Sequence, residues 1–199
     1  MTTSLYLAHL NPVTNAHVEI IKELQTKADK VIVMPVIFLK DKKEINSKSF
    51  PFDFHIRKEM LQAVFGDSLT ISRNYTFYAP FSKYMPPLLS PKSWKLRRQI
   101  LEGIEDDYFT YTGDKAEGYM LKLYRLRPKT GQRRQISASS IKQKLYDETS
   151  GKDSDWRKDV PFQVVKIIEK NWETVEKFAK IQDQTTKIAG MKFPKEGYR

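Results

Sequence analysis

The chain has 199 residues, 40% of them hydrophobic and 12% aromatic, which is enough to bury the core of one domain of ordinary size. The absence of cysteine excludes a disulfide scaffold, an iron–sulfur or thiolate zinc site and a cysteine nucleophile, and no run of about 18 apolar residues is present to span a membrane. The formal net charge of +11 favours an anionic partner, either a nucleotide or a nucleic acid.

The start of the chain predicts a buried strand followed by a helix. Residues 4–10 form a short apolar run that ends at Asn11-Pro12. The residues before it carry no basic side chain, which argues against a signal peptide and favours a cytoplasmic protein. Val18, Ile21 and Leu24 follow at helical spacing, so a helix is expected directly after the turn.

The next part of the chain repeats this alternation. Residues 31–38 are rich in β-branched side chains and predict a second strand, although Pro35 interrupts it. A basic loop over 40–49 then leads to a helix for which Asp53 is the expected N-cap. Residues 69–71 predict a strand, and the proline-rich, aromatic stretch 75–91 predicts an irregular loop facing the active site.

The second half continues in the same way. Residues 92–104 predict a helix, 108–112 a strand and 119–126 a last strand. A short helix is expected to begin near Ser139 or Ser140, where a hydroxyl can cap it. An amphipathic helix is expected to begin around Pro161.

The alternation predicts an α/β fold, a Rossmann-like parallel sheet with helices on both faces. Residues 1–184 form the expected domain, and residues 185–199, which show little pattern, a polar tail. Ligands of such sheets bind beyond the carboxyl ends of the strands. Those ends carry residues 11–17, 40–43 and 113–114, together with a basic segment.

The basic segment is residues 118–146, which hold eight basic and no acidic side chains and so supply +8 of the +11. A field this concentrated indicates a polyphosphate ligand. The eight are Lys122, Arg125, Arg127, Lys129, Arg133, Arg134, Lys142 and Lys144.

Two short motifs carry the chemistry. In the run from His9 to His17, a hydroxyl (Thr14) and an imidazole (His17) stand at a helix start, beside free backbone N–H groups that suit a phosphate. In the run from Arg133 to Lys142, three serines and a lysine offer donors and charge around a second helix start. Each pattern alone is more often a simple helix cap.

In this order, the two motifs resemble those of the nucleotidylyltransferases of the HIGH superfamily, (His/Thr)-x-Gly-His and Ile-Ser-x-Ser/Thr-x-x-Arg/Lys. Here they read Thr14-Asn15-Ala16-His17 and Ile136-Ser137-Ala138-Ser139-Ser140-Ile141-Lys142. The first run is similar to phosphopantetheine adenylyltransferases, and residues 49–61 and 155–161 resemble nicotinamide-mononucleotide adenylyltransferases. Ala8 and Ala16 stand where the family has glycine.

The resemblance implies transfer of a nucleoside monophosphate from ATP to a phosphate-bearing acceptor, with release of pyrophosphate. It implies catalytic roles for His17, Thr14 and Lys142, and acceptor binding by Lys42 and Lys43. Mg²⁺ would arrive with ATP, without a protein metal cage. The implied nucleotide-binding residues are Ala8, His9, Asn11, Ala16, Asp114, Arg134, Ser137, Ser139 and Ser140, with Arg133 assisting.

The acceptor stays open at this point. Nicotinamide mononucleotide is the first candidate and phosphopantetheine the second, and a cytidylyltransferase that activates an alcohol is a third reading of the same class. A non-catalytic nucleic-acid-binding protein on the same fold is the alternative from a different class, less favoured because it gives His17, Ser137 and Ser139 no reason to sit together. Relatives commonly assemble, so a homo-oligomer fits the resemblance.

Overall fold

The computed structural model describes residues 1–85, 89–113, 115–131, 136–188 and 191–198. A five-stranded parallel sheet lies at its centre in the order β5-β2-β1-β7-β8. Its strands are β1 (Thr2–Ala8), β2 (Lys30–Pro35), β5 (Thr70–Ile71), β7 (Asp107–Thr112) and β8 (Pro128–Thr130). The predicted Rossmann-like parallel sheet is therefore confirmed.

The middle strand shows why the sheet needs cover on both sides. In β1, Leu5 and Leu7 point to one face and Tyr6 to the other, and all three are buried. Strands apolar on both faces are typical of parallel sheets between two helical layers.

Seven helices in the described part of the chain supply that cover. They are α1 (Asn15–Gln25), α2 (Phe54–Phe65), α3 (Pro91–Ile100), α4 (Lys115–Leu123), α5 (Ala138–Thr149), α6 (Phe162–Lys170) and α7 (Trp172–Ala179). The core on the Tyr6 face contains side chains of α1, α2, α5, α6 and α7, and the core on the Leu5 face contains those of α3 and α4. The predicted placement of helices on both faces is confirmed.

Two smaller elements extend the Leu5 face. One is a sheet in the order β4-β3-β6, formed by β3 (Ile37–Lys40), β4 (Lys43–Glu44) and β6 (Thr76–Tyr78). The other is an antiparallel hairpin of β9 (Thr185–Ile188) and β10 (Met191–Pro194). Phe193 of the hairpin packs its ring 5.3 Å from those of Phe38 and Phe77, which joins hairpin and small sheet into one core.

The predicted second strand, 31–38, is two strands in two sheets. β2 ends at Pro35, and the N–H of Val36 still donates to the carbonyl of Ala8 at the end of β1. From Ile37 the chain pairs with β6 instead. The change of sheet follows Pro35, which has no N–H to donate on the side away from β1.

The predicted last strand, 119–126, was wrong. Most of it lies in α4, and the strand β8 begins only at Pro128. Met120, Leu121 and Tyr124 are buried together, and their spacing is that of one helix face.

The stretch 75–91 is not an irregular loop at the active site. Its described residues contain β6 and a short 3₁₀ turn, Phe81–Tyr84, and four of its aromatic side chains are buried. They are core residues because they pack on one another: the rings of Phe77 and Tyr84 lie 4.9 Å apart.

The last part of the chain differs from the patternless tail expected there. It forms the hairpin, with Met191 and Phe193 each only 4% exposed. The alternation of apolar and polar residues in β10 spans four residues, which is too short to stand out in the sequence. The division into a domain and a tail at residue 184 stays a prediction.

The structure confirms the predicted starts of two helices, whereas two predicted helix ends differ from it. Asp53 caps α2 by accepting from the N–H of Ile56, as predicted, and α6 begins directly after Pro161. The helix from Pro161 breaks at Asn171, whose side-chain amide donates to the carbonyl of Ile167. The helix expected over 92–104 spans 91–100, and Gly103, with φ +73°, lies in the turn that follows.

The three tryptophans divide between the two faces of the sheet. Trp156 is fully buried on the Tyr6 face, 6.3 Å from Trp172, and its indole N–H donates to Glu148 of α5. Trp94 of α3 lies on the opposite face, 38% exposed. No helix in the described part of the chain is long and apolar enough to cross a bilayer.

Candidate functional site

A cavity of about 280 Å³ opens at the carboxyl end of β1. Four segments meet there: the turn after β1 with the start of α1, the end of β7 with α4, the start of α5, and the loop at Ser49 with β10. Its lining includes Ala8, His9, Ala16, His17, Ser49, Phe50, Thr112, Gly113, Glu117, Ser137, Ser139, Lys142 and Lys192. The cavity thus lies where ligands of parallel α/β sheets bind.

Thr14 and His17 form a closed cap at the start of α1. The hydroxyl of Thr14 accepts from the backbone N–H of His17 at 3.3 Å, and the Nδ1 atom of His17 accepts from the backbone N–H of Thr14 at 3.0 Å. Since Nδ1 is an acceptor, the neutral ring carries its hydrogen on Nε2. Thr14 is fully buried and outside the cavity lining, so it positions His17 and does not face a ligand itself.

The imidazole of His17 is neutral at physiological pH. Burial, together with the charge of Lys142, lowers its pKa to about 4. A neutral ring with a fixed tautomer offers one N–H donor for a ligand in the cavity. It can therefore act as a hydrogen-bond donor without first losing or gaining a proton.

His9 forms the floor of the cavity beside Phe50. The two rings stack with their centroids 4.6 Å apart, and the Nδ1 atom of His9 is buried with no hydrogen-bond partner among the described residues. Burial lowers the pKa of His9 to about 3, and the charges of Lys142, Arg57, Lys192 and His17 act in the same direction. This ring is neutral as well.

Lys142 brings charge into the cavity from α5. Its Nζ donates to the backbone carbonyl of Asn11 at 2.8 Å, and the side chain is 8% exposed. Burial lowers its pKa to about 7; nearby Lys192 lowers it too, while Asp183 acts against the shift. The amine therefore titrates near neutrality, and a bound anion would favour its charged form.

Asn11 holds the turn together. Its side-chain amide donates to the carbonyl of Phe52 at 2.6 Å, and its Oδ1 accepts from the N–H of Phe52 at 3.1 Å. It is buried and outside the cavity lining. The structure thus gives the side chain a partner within the fold, where the resemblance implied a nucleotide.

The start of α5 presents the second motif. Ser137 is the N-cap and accepts from the backbone N–H of Ser140 at 3.2 Å, and Ser139 also lines the cavity. The helix starts two residues earlier than predicted, because the capping hydroxyl is that of Ser137. Ser140 is exposed and outside the lining.

The structure does not bring the predicted acceptor-binding lysines to this cavity. Lys42 and Lys43 lie at the turn between β3 and β4, and Lys43 lines a separate hollow. β3 belongs to the small sheet, and neither lysine lines the cavity at the end of β1. Asp114, Arg133 and Arg134 lie outside the described residues.

The lining also contains residues that were not predicted as site residues, among them Ser49, Phe50, Glu117 and Lys192. Glu117 is 6% exposed and accepts from the hydroxyls of Tyr75 at 3.0 Å and Thr112 at 2.5 Å. The one signal available for Glu117 was its position five residues past the end of the predicted strand 108–112. Nothing near Lys192 in the sequence distinguishes it from other lysines.

The donor set suits an anion better than a metal ion. Among the described residues no group of three His, Asp or Glu side chains lies close enough to bind a cation. Both oxygens of Glu117, the carboxylate in the described lining, already accept hydroxyl hydrogens. The remaining polar groups are amines, imidazoles, hydroxyls and helix N–H groups, which are phosphate ligands in proteins.

Of three comparisons with known proteins, one finds matches. No model of a protein family matches the sequence, and no curated protein matches it significantly. Solved structures do match. A bifunctional NMN adenylyltransferase/ADP-ribose pyrophosphatase from Francisella tularensis, complexed with AMP and a manganese ion, has a TM-score of 0.63 at 14% identity over 89% of this chain and 52% of its own.

Two further structures agree with the first. A putative nicotinate-nucleotide adenylyltransferase from Vibrio parahaemolyticus has a TM-score of 0.57 at 11% identity over 88% of this chain and 95% of its own. A NadR protein in complex with NR has a TM-score of 0.51 at 16% identity over 75% and 43%. The chain spans about half the length of the Francisella protein. At these identities the likeness is one of fold, and the predicted resemblance to adenylyltransferases is confirmed at that level.

Proposed function

We propose that the chain is a nucleotidylyltransferase, which transfers AMP from ATP to a small phosphate-bearing acceptor and releases pyrophosphate. One observation carries the proposal. The cap that holds His17 meets the serine-rich start of α5 and the buried amine of Lys142 in one cavity at the carboxyl end of β1. Ser137 and Lys142 lie 120 and 125 residues after His17 in the chain.

The proposed reaction needs positioning and charge neutralisation, without a general base. An oxygen of the acceptor phosphate forms a bond to the α-phosphorus of ATP, and the bond from that phosphorus to its bridging oxygen breaks. Pyrophosphate leaves with the electron pair. The Nε2–H of His17 donates to the charge that develops at the α-phosphate, while Lys142 and the hydroxyls at the start of α5 hold the β- and γ-phosphates.

The divalent cation belongs to the nucleotide in this proposal. The described lining residues do not fit a protein-bound Mg²⁺, because the oxygens of Glu117 are already engaged. Mg²⁺ usually keeps several waters and binds nucleotide phosphates directly. No step of the proposed reaction is assigned to a protein-held metal.

Nicotinamide mononucleotide is the first acceptor to test. The names of the Francisella and Vibrio proteins specify NMN and nicotinate nucleotide, both of which carry a phosphate monoester. Phosphopantetheine also carries one, and follows as the second acceptor. Either acceptor supplies the attacking oxygen that the reaction needs.

Pyrophosphate release with Mg²⁺-ATP tests the function. The acceptors are nicotinamide mononucleotide, nicotinate mononucleotide and phosphopantetheine, with no acceptor as the blank and CTP as the competing nucleotide. We expect release that depends on a mononucleotide acceptor and on ATP. Release with none of them, together with no binding of ATP and with RNA affinity that falls steeply with salt, would contradict the proposal in favour of a nucleic-acid-binding protein.

A further inference from the structure

One wall of the cavity has no part in the proposed reaction. It is built from Ser49 and Phe50, in the loop before α2, and from Lys192 of β10. Lys192 lies 143 residues after Ser49, so the wall exists only because the hairpin packs against the domain.

Lys192 is held in place from both sides of its strand. Its neighbours Met191 and Phe193 are buried in the core, and because side chains alternate along a strand, Lys192 faces the other way. There its Nζ lies 3.1 Å from the hydroxyl oxygen of Ser49, to which it donates. The amine is therefore aimed at the cavity by the packing of the hairpin.

Ser49 is itself oriented by Asp183. Its hydroxyl donates to one carboxylate oxygen at 2.7 Å, and its backbone N–H donates to the other at 3.2 Å. The hydroxyl of Thr185, at the start of β9, also donates to Asp183, at 3.0 Å. This chain of contacts fixes the lone pairs of the Ser49 oxygen toward Lys192 and ties the hairpin to the cavity wall.

The cavity therefore holds two amines without a carboxylate bound to either. Lys142 donates to a carbonyl and Lys192 to a hydroxyl, and neither forms an ion pair within the described part of the chain. Their mutual repulsion lowers the pKa of Lys142. Two cations that repel each other at a largely buried site are stabilised together when a doubly charged anion lies between them.

We propose that Lys192 and Ser49, beside the ring of His9, form the subsite for the phosphate monoester of the acceptor, and that Lys192 sets the preference for such acceptors over alcohols. The inference rests on the function proposed above. The start of α5 and Lys142 are then left for the phosphates of ATP, on the opposite wall. An alcohol acceptor leaves the amine of Lys192 without an anion. A site whose polar groups lose their partner in this way discriminates strongly against the acceptor that lacks the phosphate.

Steady-state kinetics of Lys192→Met test the assignment. Loss of a charged hydrogen bond should raise the KM for nicotinamide mononucleotide by about tenfold or more, with the KM for ATP changed less than about threefold. Lys192→Arg should recover part of the affinity. Lys187→Met is the matched control, because Lys187 pairs with Lys192 across the hairpin but is exposed and outside the cavity. An unchanged acceptor KM, or equal effects on both substrates, overturns the assignment.

Direct binding separates this inference from the proposed function. Calorimetry with inorganic phosphate compares the wild-type chain, Lys192→Met and Ser49→Ala, and circular dichroism verifies that each variant is folded. Weaker phosphate binding in both variants supports the subsite even if the wild-type chain releases no pyrophosphate, in which case only the proposed reaction fails. Phosphate binding equal to that of the wild type, or none in any of the three proteins, overturns the subsite.

Discussion

The two walls of the cavity are built in opposite ways. Thr14, His17 and the start of α5 belong to short contiguous motifs, each fixed by a cap within three residues. Ser49, Asp183 and Lys192 meet only through contacts between segments 134 and 143 residues apart. The first wall can be predicted from the sequence because its contacts are local. The second wall cannot, because it depends on the complete tertiary structure.

The largest effect we expect is a loss of stability, from a substitution in the hairpin that carries the second wall. Phe193→Ala removes a ring that packs on Phe38, Phe77 and Phe81, and should lower the free energy of unfolding by about 3–5 kcal/mol. Urea unfolding measures it. Lys187→Ala, an exposed change on the same hairpin, should leave stability within about 0.5 kcal/mol. A loss below about 1 kcal/mol for Phe193→Ala would show that the hairpin adds little to the core.

In the first wall, the largest loss of activity should come from removal of the imidazole of His17. His17→Ala removes the proposed donor to the α-phosphate and should lower kcat by about 100- to 1,000-fold, as does loss of one transition-state donor in other enzymes. Pyrophosphate release at saturating substrate measures the change. His55 is exposed on α2, so His55→Ala serves as the control and should retain the wild-type rate. A folded His17→Ala variant with full activity would exclude His17 from the mechanism.

Lys142 connects the two walls and gives the cavity a pH dependence. Its pKa of about 7 means that the amine is charged below neutrality and neutral above, so ATP should bind more weakly as pH rises from 7 to 9. Lys142→Met should lower ATP affinity about 10- to 100-fold at pH 7 and flatten this dependence. Calorimetric titrations across the pH range measure both effects.

Lys144→Met is the comparison variant for that titration. Lys144 lies two residues further along α5 but pairs with Asp155 and Asp159 at the surface. It should bind ATP with the affinity and pH dependence of the wild type. A Lys142→Met variant that keeps the full pH dependence would assign it to another group.

The smallest effect should come from the cap itself. Thr14→Ala removes the hydroxyl that caps α1 and touches the ring of His17, and should cost about 1 kcal/mol of stability. Because the backbone N–H of Thr14 still bonds Nδ1, activity should fall far less than in His17→Ala. Thr14→Ser should restore both stability and rate. Thermal unfolding and kcat together distinguish a positioning residue from one that contacts the phosphates.

The parallel sheet was predictable because its signals are local. Apolar runs broken by turn residues, and helices with caps such as Asp53, repeat along the chain in the order that builds such a sheet. The errors fall where tertiary contacts decide. Pro35 sends the chain to a second sheet, and α4 reads as a strand because Tyr119 to Leu126 is both apolar and short. The hairpin is stabilised by the aromatic core it meets, which no local pattern reveals.

The same difference between local signals and tertiary contacts separates the site residues that were predicted correctly from those that were not. His9, His17, Ser137, Ser139 and Lys142 line one cavity, as their motifs indicated. Asn11 matched its motif, but its amide is used to hold Phe52. Lys42 and Lys43 were expected at the cavity from their place after a strand, and that strand proved to belong to the other sheet.

The contact between Trp156 and Glu148 gives the molecule a built-in optical signal. α5 begins at the cavity with the cap of Ser137, and near its other end Glu148 accepts the indole N–H of Trp156 at 2.6 Å. A shift of this helix on nucleotide binding would change the surroundings of a fully buried fluorophore. The Trp94→Phe substitution removes the exposed indole. The fluorescence emission of Trp156 and Trp172 then reports movement of α5, the helix whose first turn faces the ligand.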